Sequence, residues 1–211
     1  MKRMVIMNTK ELAAALQTIN DITAIERLQK IYGYYLDYGQ WQKAVDCFSD
    51  NAESIEIGRS GVFKGKDGIR RFFRAHMGQV EGDQVSLPPG IMHFHMMLQG
   101  VVTLDPGGNT ARGRWYLAMI GVNYTKDKSS KKSDVGHGVY ENEFVKENGV
   151  WKFKKMLMSI HFLSPLDEGW MGEVMLGEMS VPKPDAPPTE YHPYPNLQML
   201  PYHFKHPVTG K

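Results

Sequence analysis

Residues 22–60, ITAIERLQKIYGYYLDYGQWQKAVDCFSDNAESIEIGRS, are the stretch around which the rest of the chain can be ordered. Ile25, Leu28, Ile31, Tyr32 and Tyr35 recur at helical spacing and define one buried stripe. Asp21 offers an N-cap for this helix, and Gly39 ends it by tolerating a left-handed conformation. Gln40–Phe48 predicts a second, short helix resting on Trp41, Val45 and Phe48. Ser49-Asp50-Asn51 then makes a turn, and Ala52–Ile57 alternates as a first strand.

Upstream, Thr9 with Glu11 and Leu12 predicts a separate short helix to about Leu16. Downstream, Gly58–Lys66 holds a small hairpin around Gly61-Val62-Phe63. Asp67 caps a third helix with Ile69, Phe72 and Phe73 inward and Arg70, Arg71 and Arg74 outward. Gly78–Gly90 is a polar loop suited to a rim or lid. From Ile91 the apolar period falls to two residues. Met92–Leu104, Thr110–Tyr124, Val135–Lys146 and Val150–Leu163 all read as strands. Their joins are Asp105-Pro106-Gly107-Gly108, the basic hairpin tip Lys126–Lys132 and Asn148-Gly149. Helices first and a meander afterwards predicts an α+β domain with helices on one face of a curved sheet. After Leu163 the chain changes character. Nine of its twelve prolines lie from Pro165 onward, among Tyr191, Tyr194, Tyr202 and Phe204, so this segment is an extended arm without a core of its own. The expected division is a 1–20 extension, a 21–163 domain and a 164–211 tail.

A formal charge of +2 without a basic stripe gives no reason to expect nucleic acid as a partner. Apolar runs never approach the roughly 20 residues that span a bilayer, and the N-terminus carries no signal-peptide pattern. No membrane partner and a cytoplasmic location are therefore expected. One cysteine, Cys47, rules out an internal disulfide and zinc sites built on several thiols. Phosphate loops, nucleophile elbows and dinucleotide fingerprints are absent from the sequence, which leaves cofactor-free acid–base chemistry.

The order of elements resembles the SnoaL-like group of the NTF2-like, cone-shaped α+β superfamily. Carrying the resemblance are Ile25-x2-Leu28-x3-Tyr32, Leu36-Asp37-x3-Trp41 and Phe48-Ser49-Asp50-Asn51-Ala52. Gly65-x2-Gly68-Ile69, His95, Gly113-Arg114-Trp115-Tyr116 and Gly149-Val150-Trp151-Lys152-Phe153 continue it, over roughly residues 20–163. It implies three N-terminal helices on a curved, mostly antiparallel sheet, and a homo-oligomer, trimer before dimer. Within the group the chain is similar to cofactor-free dehydratases, scytalone dehydratase and bile acid 7α-dehydratase. The helical Tyr of the bile acid enzyme, the Asp five residues later and the His at the start of its long meander look like Tyr32, Asp37 and His95. A further catalytic Asp of the bile acid enzyme corresponds to Met119 here, which implies a drier pocket. The aromatic tail is also similar to that of sphingomonad lyases that release formaldehyde from lignin-derived diaryl compounds.

The implied activity is a lyase for a hydroxylated, largely apolar aromatic molecule, by dehydration or by C–C cleavage. The alternatives are a non-catalytic small-molecule-binding module and an isomerase of the ketosteroid isomerase type. His95 is the side chain best matched to proton transfer near neutral pH, and Asp37 would orient it. Tyr32 and Asp37 stand about 140° apart around an ideal helix, so they converge only if the helix unwinds near Leu36 or the pocket wraps its end. Tyr35, Trp115, Tyr116, Met119, His137, Tyr140 and His161 are candidate binding residues. Glu56 joins them as a loose match to the isomerase carboxylate; its plainer reading is an exposed strand carboxylate. His93-Phe94-His95 with His137 or His161 would be the ligands of a metal alternative. Met96-Met97-Leu98-Gln99-Gly100 follows instead of a carboxylate, so no metal is expected.

Overall fold

In the computed structural model, residues 7–76, 87, 89–124, 131–170 and 182–211 are described. The polar loop after the third helix and the tip of the basic hairpin fall mostly outside them. Helix α1 (Thr9–Asp37) is followed by α2 (Trp41–Asp46), β1 (Ser54–Ile57), a single 3-10 turn, β2 (Val62–Lys64) and α3 (Gly65–His76). Four long strands complete the domain: β3 (Met92–Leu104), β4 (Thr110–Tyr124), β5 (Lys131–Glu147) and β6 (Val150–Pro165). One six-stranded sheet runs β2-β1-β6-β5-β4-β3. Only β1 against β6 is parallel; the other pairs are antiparallel.

The two helices expected at the N-terminus are one. Asn8, not Thr9, is the N-cap, in a reciprocal capping box with Glu11, and the helix runs through Asp21 without a break. Asp21 is buried because it is bonded across the domain: Lys146 Nζ donates to Oδ1 at 2.7 Å and Trp151 Nε1 at 2.8 Å. Eight residues on, Gln29 is fully buried, accepts from Asn142 Nδ2 at 2.9 Å and approaches Met97 Sδ at 3.5 Å. Eight residues further lies Asp37. Three polar groups thus fix the position of α1 along the sheet, and its apolar stripe (Ile25, Tyr32, Leu36) seals the space between them. At the other end Gly39 (φ 67°) closes the helix as expected. The N–H of Gly39 bonds to Leu36 C=O and that of Gln40 to Tyr35 C=O, a Schellman arrangement. Helix α3 begins at Gly65, two residues before Asp67, whose carboxylate pairs with Arg70.

The core lies between the helices and the inner face of the sheet. Phe48, Phe73, Phe144 and Phe153 meet there with Ile25, Ile55 and Leu117. Burying each such side chain contributes about 1.5–3 kcal/mol. Among its described residues, 182–211, the tail has no helix or long strand, and within this chain it lies on the outer face of its own sheet. It bridges β2 at Val62–Ala186, binds Glu56 of β1 through Thr189 and Glu190, and donates from Tyr194 N–H to His161 C=O of β6. It ends over β5 and β4, where Arg114 donates to Leu200 C=O (2.9 Å) and Pro201 C=O (3.0 Å) and His203 pairs with Glu141. Among the described residues, no helix is long and apolar enough to cross a membrane.

Candidate active site

Strand alternation divides the expected site residues into two groups. His95 stands opposite Met119 in the β3–β4 register, and Met119 opposite Gly136 of β5. His93, His95, Trp115, Met119 and Tyr140 therefore share the inner face. Ala118 stands opposite His137, so Tyr116 and His137 face the other way, and His161 joins His137 there with the two Nδ1 atoms 3.0 Å apart. Tyr116, His137 and His161 do not meet His95; the sheet lies between them. A metal site combining His95 with either outer histidine would need ligands on both faces. Among the described residues no three His, Cys, Asp or Glu side chains cluster for a metal.

Glu56 is also on the outer face. It is 3% exposed, not solvated, because its two oxygens accept from Thr189 N–H (2.6 Å), Thr189 Oγ1 (2.8 Å) and Glu190 N–H (3.1 Å). Its work is to hold the tail, and an isomerase-type carboxylate is not supplied to the His95 face from this position.

Asp37 and His95 do meet. Asp37 is the last residue of α1, and its Oδ1 accepts from both the backbone N–H and the ring Nδ1 of His95, each at 2.8 Å. A carboxylate oxygen can only accept, so Nδ1 carries the proton and Nε2 is the basic nitrogen. The helix needs no unwinding for this: it stops at Asp37 because Gly39 turns the chain, and the carboxylate reaches over the helix end to β3. Gly33 keeps the helix close enough, since a Cβ there would sit 3.3 Å from the His95 carbonyl and 3.2 Å from Met97 Cε. The side chains of His95 and Asp37 are 21% and 13% exposed, open to a small molecule but largely out of bulk water. Met119, the register partner of His95, and Met97, two residues along on the same face of β3, are partly buried against the core and give the site an apolar wall.

Tyr32 lies deeper. Its ring packs edge-on against Phe48, Phe73 and Phe153 and is 1% exposed. Burial, with smaller contributions from Tyr140 and Cys47, pushes its pKa well above the usual phenol range. Tyr140, 2% exposed, is raised by burial and then by the Asp37 charge. Both phenols are therefore neutral donors. Trp115 is core, wedged against Phe144 with its Nε1 over Gly100. Tyr35 is half-buried and turned toward α2, with Lys43 over its ring at 5.9 Å. Cys47 is a buried, unreactive thiol, pushed up to about 12 by burial. Sequence reasoning missed Gln29 and Asn142. The signal was present, since a glutamine within an apolar helical stripe needs a buried partner.

Two surface clefts lie away from the Asp37–His95 pair, one of about 470 Å³ at the start of α3 and one of about 220 Å³ beneath Tyr202 and His203.

Residues 17–157 match the SnoaL-like domain family. Among solved structures, a "putative aromatic ring hydroxylase" from Novosphingobium aromaticivorans is similar, with 25% identity and a TM-score of 0.55 over 71% of this chain and 96% of that one. A "Putative Scytalone Dehydratase" from the same organism has 19% identity and a TM-score of 0.57 over 72% and 91%. A hexachlorocyclohexane dehydrochlorinase (LinA) has 19% identity and a TM-score of 0.57 over 72% and 93%. These likenesses establish the fold, which is NTF2-like. No curated protein matches the sequence.

Proposed function

The chain belongs to the SnoaL-like family, and from that premise we propose that it is a cofactor-independent lyase acting on a hydroxylated, largely apolar, aromatic small molecule. The observation that carries the reading is the double acceptance by Asp37 Oδ1, which leaves His95 Nε2 as a fixed base beside Met97 and Met119. In a dehydration His95 Nε2 takes a C–H proton, the electron pair forms the double bond, and the adjacent C–O bond breaks. The departing hydroxide takes a proton from a neutral phenol, assigned to Tyr32, and leaves as water. The names of two fold relatives, a dehydratase and a dehydrochlorinase, also describe loss of a proton together with a leaving group. Met119, opposite His95, offers no charge to the substrate and favours an aromatic or aliphatic group there.

The same pair would serve C–C cleavage if His95 took the O–H proton of a primary alcohol. Formaldehyde would then be expelled, and the released electron pair would displace a neighbouring hydroxyl as water. Products separate the two. The purified protein is incubated with a panel of aryl and diaryl alcohols, followed by mass spectrometry and formaldehyde trapping. A product lighter by water alone indicates dehydration, and trapped formaldehyde indicates cleavage. Either activity should disappear in His95→Gln. No turnover of any alcohol, with tight binding retained, would point to a binding module instead.

A further inference from the structure

The cleft of about 220 Å³ beneath Tyr202 and His203 lies on the outer face, across the sheet from Asp37 and His95. Strand register sets a row of charges along it. Arg112 of β4 stands opposite Glu143 of β5, and Glu143 opposite Lys155 of β6. Residues of one strand face recur every second position, so the next row on this face is Arg114 opposite Glu141. The tail supplies the roof.

The second row is matched within the chain. Arg114 donates to the carbonyls of Leu200 and Pro201 and stands 3.2 Å from Glu141 Oε2. The other oxygen of Glu141 accepts from His203 Nδ1. A carboxylate cannot donate, so Nδ1 holds a proton. That leaves His203 Nε2, which is buried and has no hydrogen-bond partner among the described residues, on a side chain only 3% exposed. A buried nitrogen in that state is destabilising unless something outside the chain satisfies it. The first row is matched less well. Lys155 makes no ion pair among the described residues, while Glu143 turns to Lys154 at 3.8 Å. Arg112 reaches Asp105 only at 3.7 Å.

We propose that this cleft binds a small oxyanion, a phosphate or a carboxylate group, between Arg112, Lys155 and His203 Nε2. With a proton on each ring nitrogen, His203 donates to Glu141 at one end and to the ligand at the other. Glu141 thus fixes the direction of this ring as Asp37 fixes that of His95. A guanidinium fork, an ammonium and an imidazole N–H supply the charge and the donors such a group requires. A cation is not matched, because the oxygens of Glu141 already face Arg114 and His203. The volume is suitable: at about 30 Å³ for each water, the cleft takes one oxyanion and a few waters. A ligand there would touch β4, β6 and the tail together, and so would fasten the tail to the sheet. None of this depends on the proposed reaction.

Isothermal titration of the full chain with inorganic phosphate, and separately with benzoate, tests the site at constant ionic strength with chloride as the balancing salt. At least one should saturate at one site per chain, and whichever does identifies the group bound. Lys155→Gln and His203→Gln should each weaken binding roughly tenfold or more. Arg70→Gln, in the cleft at the start of α3, should leave it unchanged. Circular dichroism verifies that each variant is folded. Lys155 holds none of the tail contacts described above, so its variant separates loss of the ligand from loosening of the tail. Saturating ligand should also slow proteolysis within residues 182–211 in the parent and not in Lys155→Gln. Failure of both probes to saturate overturns the proposal. So does binding that Lys155→Gln and His203→Gln leave intact, or protection of the tail that is equal in Lys155→Gln.

Discussion

Replacing Asp37 tests the pairing with His95 in a way that needs no substrate. In the parent, Oδ1 accepts two bonds at 2.8 Å from a residue on another element. In Asp37→Asn the backbone N–H of His95 still requires an oxygen at that point. The amide is therefore held with its oxygen toward β3, and the ring keeps its proton on Nδ1. What is lost is charge assistance, about 1 kcal/mol for each of two bonds, or about 2 kcal/mol in all. For a chain of this size that lowers the thermal midpoint by roughly 4–8 °C. Asp37→Ala removes the acceptor altogether. Two donors are left in a largely buried position at about 1–3 kcal/mol each, and the freed ring should move to the Nε2–H tautomer usual for neutral imidazole. Long-range ¹H–¹⁵N correlation spectra at about pH 8, above the ordinary imidazole range, read the tautomer directly, with His95→Gln assigning the signal. Nδ1–H in the parent and in Asn, and Nε2–H in Ala, is the expected series. An Nε2–H tautomer in the parent, or no change in Ala, would refute the argument. Once a substrate is in hand, turnover should fall about 10²–10⁴-fold in Ala.

Three further outcomes follow from the polar groups around the sheet. Burial raises the Asp21 carboxyl, but bonds from Lys146, Trp151 and Gln17 and the Lys146 charge outweigh it and leave its pKa below the usual value. Its contribution is thus present above the unfolded carboxylate pKa and lost as pH falls through the lower folded one. Asp21→Asn should cost about 1–3 kcal/mol in urea unfolding at pH 7, and the difference should shrink as the pH falls through the folded carboxyl's pKa. His161 is depressed to about 4 by burial first, then by His137 and Arg114. The unfolded chain therefore takes up a proton between pH 6.5 and 4 that the folded chain does not, and stability should fall by roughly 2–3 kcal/mol over that window. His161→Gln should flatten this slope, and an unchanged slope counts against the buried imidazole pair. Arg114→Met removes the donors to Leu200 and Pro201 and the cation over Tyr202 at 4.7 Å, leaving Glu141 with His203 alone. Limited proteolysis should then cleave within residues 182–211 well before the parent is cut there, and equal rates would mean that the tail is held elsewhere.

Much of this architecture is written in local pattern. The change of apolar period near Ile91, the Asn148-Gly149 hairpin and the Gly39 stop are short-range features, because turn chemistry and side-chain alternation act within a few residues. Each long strand was legible for that reason, as was the position of Asp37 at a helix end, where its charge is unfavourable to the helix dipole and so needs another purpose. His95 could be nominated from its strand face and from the family pattern. The continuous α1 was not legible. Asp21 looks like an N-cap in sequence, and only Lys146 and Trp151, more than a hundred residues away, make it a buried interior residue.

What the amino-acid sequence determined alone was the set of long strands and their joins, the two shorter helices, the side of each strand that is apolar, and the pair Asp37 and His95 as candidates. What only the tertiary structure decided was which candidates share a space. Register makes His95 the neighbour of Met119 and sends Tyr116, His137 and His161 to the far side of the sheet. The crossing of the tail turns Glu56 from an exposed carboxylate into a clamp. Both outcomes depend on long-range pairing, where one residue of slip exchanges the two faces. Periodicity states that a strand has two sides, but not which side will face the helix that carries Asp37.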